Sequence, residues 1–177
     1  MIIIFEGIDR VGKTTLANKV AKSLGLQVYK KERECGNSGA INNLNYAINY
    51  GNALGHVQLW NSNVFNSHII VDRFHWTEYV YSFVDRGYTN SYMSFVENEM
   101  LKYRENYIMV LVQPTDLKRS EEEHGSSLEL HNELFNNLYN MSDLQKIKCK
   151  YDDFSYLLGA IKGYMLKNEF SKKDYII

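Results

Sequence analysis

Two glycines, a lysine and a threonine fall at a fixed spacing in Gly7-Ile8-Asp9-Arg10-Val11-Gly12-Lys13-Thr14, which satisfies the pattern GxxxxGK[ST]. A loop of this spacing turns its backbone N–H groups inward around a phosphate, and the helix that follows adds the positive end of its dipole. The lysine then reaches the β- and γ-phosphates, and the hydroxyl is offered to Mg²⁺. Lys13 and Thr14 take those two roles here, with Val11, Gly12 and Thr15 completing the cradle. From average composition four specified positions match by chance about once in 10⁴ starts, or about 1% over a chain of this length. The pattern therefore points to a bound nucleoside triphosphate. It does not say whether the phosphoryl group goes to water, to a protein or to a small acceptor.

The neighbours bear on that choice. Asp9 and Arg10 put a carboxylate and a guanidinium inside the loop, where a triphosphate alone would tolerate small neutral residues. A carboxylate beside phosphates is unfavourable unless it binds something on its other side, such as a sugar hydroxyl. An arginine there could bridge two phosphate groups while charge moves between them, and the alternative for the pair is an outward-facing salt bridge. A second landmark is Val71-Asp72-Arg73-Phe74, where Asp72 is placed to hold Mg²⁺ or its waters opposite Thr14 and Arg73 to clamp a phosphate bidentately. An isolated Asp-Arg pair would read as a helix cap and a surface charge.

These residues need a scaffold, and the hydrophobic pattern supplies one. The continuous apolar run at 2–5 reads as a buried strand, and 68–71, 107–112 and 147–151 repeat its signature, with a weaker version at 26–29, which makes five strands. Between them Leu16, Val20 and Leu24 recur every four residues and stop at Gly25, a helix C-cap. Leu134, Leu138 and Met141 form a second stripe, and Phe154, Leu157, Leu158, Ile161 and Met165 a third. Strands alternating with helices predict an α/β fold: a five-stranded parallel sheet with helices on both faces. Ligands gather at the carboxyl ends of such strands, just after Phe5, Tyr29, Val71 and Val112.

Composition sets outer limits. With 177 residues, 45% hydrophobic and 23% charged, and 20 Lys+Arg against 21 Asp+Glu, the chain has material for one core and no polybasic tail for nucleic acid. Residues 1–177 read as a single domain, without a repeat or a Pro- or Gly/Ser-rich linker. No apolar run approaches the ~20 residues of a membrane span. Cys35 and Cys149 have no CxxC or histidine partner spacing, and the expected setting is the reducing cytoplasm. The five histidines form no metal-ligand spacing and read as structural or surface groups, His124 included at the end of the acidic run Glu121-Glu122-Glu123.

With Phe5-Glu6-Gly7-Ile8-Asp9-Arg10-Val11-Gly12-Lys13-Thr14-Thr15 and Val71-Asp72-Arg73-Phe74 in place, the chain resembles the thymidylate kinase family of P-loop nucleoside monophosphate kinases. The first segment matches the pattern FEG-[IV]-D-x-x-GK-[ST]-T, with Arg10 as in the subgroup that carries its catalytic arginine in the loop. The second matches DR[YF], with Thr77 and Tyr81 at the family's following Ser and aromatic. Arg33-Glu34-Cys35-Gly36 is similar to the family's REPG loop, with Cys35 in place of proline, and 118–127 to its short lid.

The resemblance implies a P-loop kinase fold and transfer of the γ-phosphoryl of MgATP to a deoxynucleoside 5′-monophosphate, dTMP the first candidate. It implies that Lys13 and Arg10 stabilise the transferring group, that Thr14 and Asp72 hold the metal, and that Arg119 lies over ATP. Asp9 would meet the acceptor's 3′-hydroxyl, Arg33 and Arg73 its phosphate, and Tyr81 would pack near its base. The partners implied are small nucleotides and a second copy of the chain in a homodimer, through helices near 40–66 and 76–104, with no membrane and no nucleic acid.

From Gly36 to Val71 there is no Lys or Arg, so the family's base-reading arginine has no counterpart. Gln58 could read a base edge and Trp60 could stack on it; the alternatives are a solvated Gln and a core Trp. Two other functions fit the same motifs. One is a deoxynucleoside kinase using Glu32 or Glu34 as base, and the other a nucleotide-binding module without catalysis.

Overall fold

A computed structural model of the chain describes residues 1–30, 43–62, 67–87, 92–124 and 127–173. The apolar runs form five strands: β1 (Ile2–Glu6), β2 (Gln27–Lys30), β3 (Ile69–Asp72), β4 (Tyr107–Gln113) and β5 (Gln145–Lys150). They pair in parallel in the order β2-β3-β1-β4-β5. β1 lies at the centre, and every residue from Ile2 to Glu6 is buried. Burial of consecutive residues means that both faces of the strand are covered, as a parallel sheet between helices requires.

Among the described residues seven α-helices complete the fold: α1 (Lys13–Leu24), α2 (Asn43–Asn61), α3 (His75–Asp85), α4 (Tyr92–Leu101), α5 (Leu117–His124), α6 (Glu129–Met141) and α7 (Phe154–Lys173). α1 packs on β1, β2 and β3 and touches α7, while α3 packs on α4 and α6. The first stripe behaves as its spacing predicts: Leu16 and Val20 are buried, and Gly25 at φ 66° donates its N–H to the Ala21 carbonyl. The α6 stripe does so only in part, with Leu138 buried and Leu134 packed against the core. Its buried side chains are His131, Phe135 and Leu138, and Met141 is 79% exposed. The face is set by α3, whose Tyr81 ring lies against His131 and Phe135, and so it turns Met141 outward.

The sheet brings the motifs to one edge. β1 and β3 are neighbours with Phe5 opposite Asp72, so both chains leave the sheet side by side. The Arg73 N–H donates to the Phe5 carbonyl at 3.0 Å, tying the two exits together. Gly7 leaves β1 at φ 134° against β4, and a Cβ there would stand 2.4 Å from the Val112 carbonyl oxygen. Only glycine fits that position. No helix among the described residues is long and apolar enough to cross a membrane.

Candidate active site

The cradle forms where the spacing predicts it. Gly12 takes a left-handed conformation (φ 82°), α1 begins at Lys13, and the Leu16 N–H closes the first turn on the Gly12 carbonyl at 2.9 Å. A Cβ on Gly12 would meet the Tyr151 ring at 2.5 Å, so the loop also needs this glycine to lie against the end of β5. Lys13 is 3% exposed and its Nζ donates to the Ile8 carbonyl. Burial, and next the Arg73 guanidinium, push its ammonium down to about 7.

Thr14 and Asp72 meet below the cradle, with the Thr14 Oγ1 donating to Asp72 Oδ2 at 2.6 Å. Asp72 is fully buried, and its other oxygen, Oδ1, has no hydrogen-bond partner. A buried carboxylate oxygen without a donor costs free energy unless a cation or water takes it. One hydroxyl and one carboxylate fit Mg²⁺, which keeps several waters and draws its remaining ligands from phosphates.

Asp9 and Arg73 face each other across the next part of the cleft. Asp9 Oδ1 accepts from Arg73 Nη2, and the Asp9 N–H donates to the Tyr81 hydroxyl at 2.9 Å. Burial works against the Arg73 charge, but the Asp9 carboxylate outweighs it and the guanidinium is held more firmly protonated than usual. Arg10 and Arg73 both have positive φ, 64° and 74°. Such conformations in non-glycine residues carry strain and concentrate at ligand sites. Lys13, Arg10, Arg73, Asp9, Gly12, Thr14, Thr15 and His124 line one cavity of about 550 Å³.

Glu6 fixes this geometry from beneath. Its carboxylate accepts from the N–H groups of Phe74 (3.0 Å), Trp76 (3.1 Å) and Thr77 (3.2 Å) and from the Thr77 hydroxyl. It is the cap of α3, supplied by another strand, and it locks the segment after Arg73 to the segment before the cradle. Burial pushes the Glu6 carboxyl up, against the His75 ring, the Thr77 hydroxyl, the Phe74 N–H and Lys13. Beyond it, Glu97 accepts from His75 Nε2 and Trp76 Nε1, each at 3.2 Å. Burial works against the Glu97 charge, but these donors and the His75 ring hold its carboxyl down at about 2. Glu6→Ala is expected to cost about 2–4 kcal/mol, because several buried donors lose their acceptor at once. Urea denaturation with an unchanged slope checks it.

Arg119 lies on the other side of Arg10. It lines a second cavity of about 490 Å³ with Arg10, Val11, Gly12, Thr15, Thr115, Asp116, Ser120, Tyr151 and Asp152. Arg10 borders both cavities.

The structure thus brings Asp9, Arg10, Val11, Gly12, Lys13, Thr14, Thr15, Asp72, Arg73 and Arg119 to one end of the sheet. Thr77 is turned into the Glu6 cap. Tyr81 is buried, with its ring on His131 and Phe135 and its hydroxyl under the loop. Gln58 is exposed on α2 and lines neither cavity, and Trp60 is buried between His56 and Phe74, its core alternative. Arg33, with Glu32, Glu34 and Cys35, lies outside the described residues.

Several site residues carry no role in the sequence reading. Glu6 stands inside the FEG motif, and that was its only signal. Tyr151 follows a strand end, the position where ligands gather, and so was findable. His124, expected as a structural or surface group, stands in the cavity wall. Of the acidic run, Glu121 is half-buried and accepts from the Leu128 N–H at 2.8 Å.

No protein-family model matches the chain, and no curated protein gives a significant sequence match. Solved structures do match over nearly the whole length. The YorR protein of Bacillus subtilis, in complex with phosphorylated GDP, superposes with a TM-score of 0.64 at 20% identity, covering 97% of this chain and 98% of its own. Thymidylate kinase from Candida albicans gives 0.57 at 11% identity, covering 95% and 92%. The chain has the P-loop kinase fold. Deoxyadenosine kinase from M. mycoides, with products dCMP and a flexible dCDP, matches that fold at 0.56 and 15% identity, covering 94% and 100%. At such identities the likeness is one of architecture. The residues must argue the chemistry.

Proposed function

We propose that the chain is a nucleoside monophosphate kinase that transfers the γ-phosphoryl group of MgATP to a deoxynucleoside 5′-monophosphate, with dTMP the first candidate. The observation that carries this reading is the single cavity that joins Lys13 and Thr14 of the cradle to Arg10 and to the Arg73–Asp9 pair. The thymidylate kinase neighbour supports a monophosphate acceptor, while the deoxyadenosine kinase neighbour favours the nucleoside alternative.

In this reading ATP lies with its phosphates in the cradle and its base toward Arg119 and Tyr151. The acceptor enters from the Arg73 side, with its phosphate on that guanidinium and its 3′-hydroxyl on Asp9, and Arg33 belongs to the same clamp. The bond from the γ-phosphorus to the ADP oxygen breaks as a bond to an acceptor phosphate oxygen forms, leaving ADP and the acceptor's diphosphate. The attacking oxygen is already anionic, so no base is needed, and alignment and charge neutralisation carry the step. Arg10, bordering both cavities, bridges the two nucleotides, and Lys13 follows the charge on the moving group. Thr14 and Asp72 would hold Mg²⁺, which would supply charge neutralisation to the phosphates when bound. The homodimer implied by the resemblance belongs to the same reading, and α2, α3 and α4 leave Leu59 (49%), Phe83 (42%) and Phe95 (60%) exposed.

A deoxynucleoside kinase remains the second reading, because Arg73 and Arg10 are the guanidinium groups of that cavity among the described residues. ADP formation across all deoxynucleosides and their monophosphates separates the two. Turnover is expected with a pyrimidine monophosphate. Turnover with nucleosides alone would replace the first reading by the second, and tight ATP binding without turnover would leave a binding module.

A further inference from the structure

α5 ends over the cleft and is fastened at both ends. At its start the Arg119 N–H donates to Asp116 Oδ1 at 3.3 Å, and the buried Ser120 sends its hydroxyl to the Asp116 carbonyl at 3.1 Å. Near its end Glu121 accepts from the Leu128 N–H at 2.8 Å and the Ser127 hydroxyl at 3.1 Å, which joins α5 to the start of α6. A helix held this way fixes where its last side chain stands.

That side chain is His124. Its ring is 25% exposed, and Nε2 lies 3.8 Å from Asp9 Oδ2, the oxygen that Arg73 does not use. At 3.8 Å the imidazole is not hydrogen-bonded to the carboxylate. It stands beside Asp9 in the wall of the cavity that also holds Lys13, Arg10 and Arg73. The other histidines are placed elsewhere: His56 on Tyr29 and Asn52, His68 on the amino terminus, His75 on Glu97, and His131 on Asp85. Among the described residues, His124 is the histidine of the phosphate cavity.

A phosphoryl group in transit presents three equatorial oxygens. Lys13 and Arg10 come from the cradle and Arg73 from the end of β3, so these donors all rise from the sheet edge. A donor on α5 comes from a different element.

We propose that His124 is a phosphoryl-binding catalytic residue: its Nε2–H donates to an oxygen of the γ-phosphoryl group of ATP and keeps that bond during transfer. The assignment rests on the reading of the cradle as an ATP site, and its test does not depend on the acceptor. The tautomer required carries the proton on Nε2.

The first arm measures ATP and ADP binding with Mg²⁺ by calorimetry on wild type, His124→Ala and His124→Gln. His124→Ala is expected to weaken ATP by about fivefold or more while ADP changes less than twofold, and Gln, which keeps an N–H donor, to restore most of the difference. The second arm measures steady-state turnover, where the Ala variant is expected to lose at least about tenfold in kcat with little change in acceptor KM. If Ala perturbs α5 in thermal melts, His124→Leu supplies a donor-free side chain of similar size. An unchanged ATP-to-ADP ratio in the donor-free variant, or equal loss for both nucleotides, overturns the proposal. If wild type phosphorylates no acceptor, the proposed reaction fails, and the ATP-to-ADP ratio still decides the role of His124.

Discussion

Lys13→Met is expected to abolish phosphoryl transfer while leaving the nucleotide-free protein at least as stable as wild type at neutral pH. The two effects have one cause. Lys13 is 3% exposed, and burial and Arg73 bring its ammonium down from 10.5 to about 7. Holding that charge in the folded chain is therefore unfavourable, and the unfolded chain binds the proton more tightly. Between about pH 7 and 10.5 the unfolded state carries more protons, so this group makes wild-type stability rise with pH across that window. A methionine of similar length fills the space without the charge, and that part of the pH dependence should disappear.

A triphosphate reverses the balance, because anionic oxygens beside Nζ favour the ammonium. ATP binding to wild type should accordingly take up a proton near pH 8, and binding to Lys13→Met should not. Calorimetry in buffers of different ionisation enthalpy reads the proton directly. Loss of the lysine's contact in the transition state should lower kcat by at least about 10²–10³-fold. Near-wild-type turnover in Lys13→Met would remove the cradle from the mechanism.

What the sequence disclosed follows the range of the interactions. The cradle was legible because its shape is local: Gly12 must take a left-handed turn, and α1 must start at Lys13. The strands were legible to within one or two residues: β1, β3 and β4, buried on both faces, leave near-continuous apolar runs. The edge strands β2 and β5, expected to be buried, are largely exposed or half-buried because each has only one neighbour in the sheet. Asp72 and Arg73 were placed because a parallel sheet puts the exits of β1 and β3 together. The support beneath them was not. Glu6 caps a helix 68 residues away, and the Asp9 N–H meets a Tyr81 hydroxyl 72 residues on. No spacing announces such pairs. His124 is a further case: a polar residue beside three glutamates reads as structural or surface, and its place in the cavity wall follows from the ties of α5 to Asp116 and to the start of α6. Tyr81, which the resemblance places near the acceptor's base, also has a support role that no spacing announces: its hydroxyl accepts from the Asp9 N–H and its ring lies on His131.

Arg73→Ala should separate the two kinase readings. A clamp on a 5′-phosphate is needed only when the acceptor arrives phosphorylated. Arg73 leaves β3 at φ 74° with its guanidinium on Asp9, so its position is set by the backbone turn and by the paired carboxylate, both present before any ligand. A charge-assisted arginine–phosphate pair contributes about 1.5–3 kcal/mol, so its loss should weaken dTMP binding by at least about tenfold. ATP affinity should fall much less, because the cradle still holds the triphosphate and removing the Arg73 charge favours the Lys13 ammonium. Removing Arg73 takes its guanidinium away from Asp9 Oδ1, so a sugar hydroxyl would no longer compete with that group for this oxygen. Thymidine binding should hold or tighten while dTMP binding falls, and that divergence is the signature to read by titrating both ligands into wild type and Arg73→Ala. If wild type binds thymidine as well as dTMP and the substitution alters neither, the acceptor carries no phosphate at this site. The nucleoside kinase reading then takes the place of the monophosphate one, with the cradle unchanged.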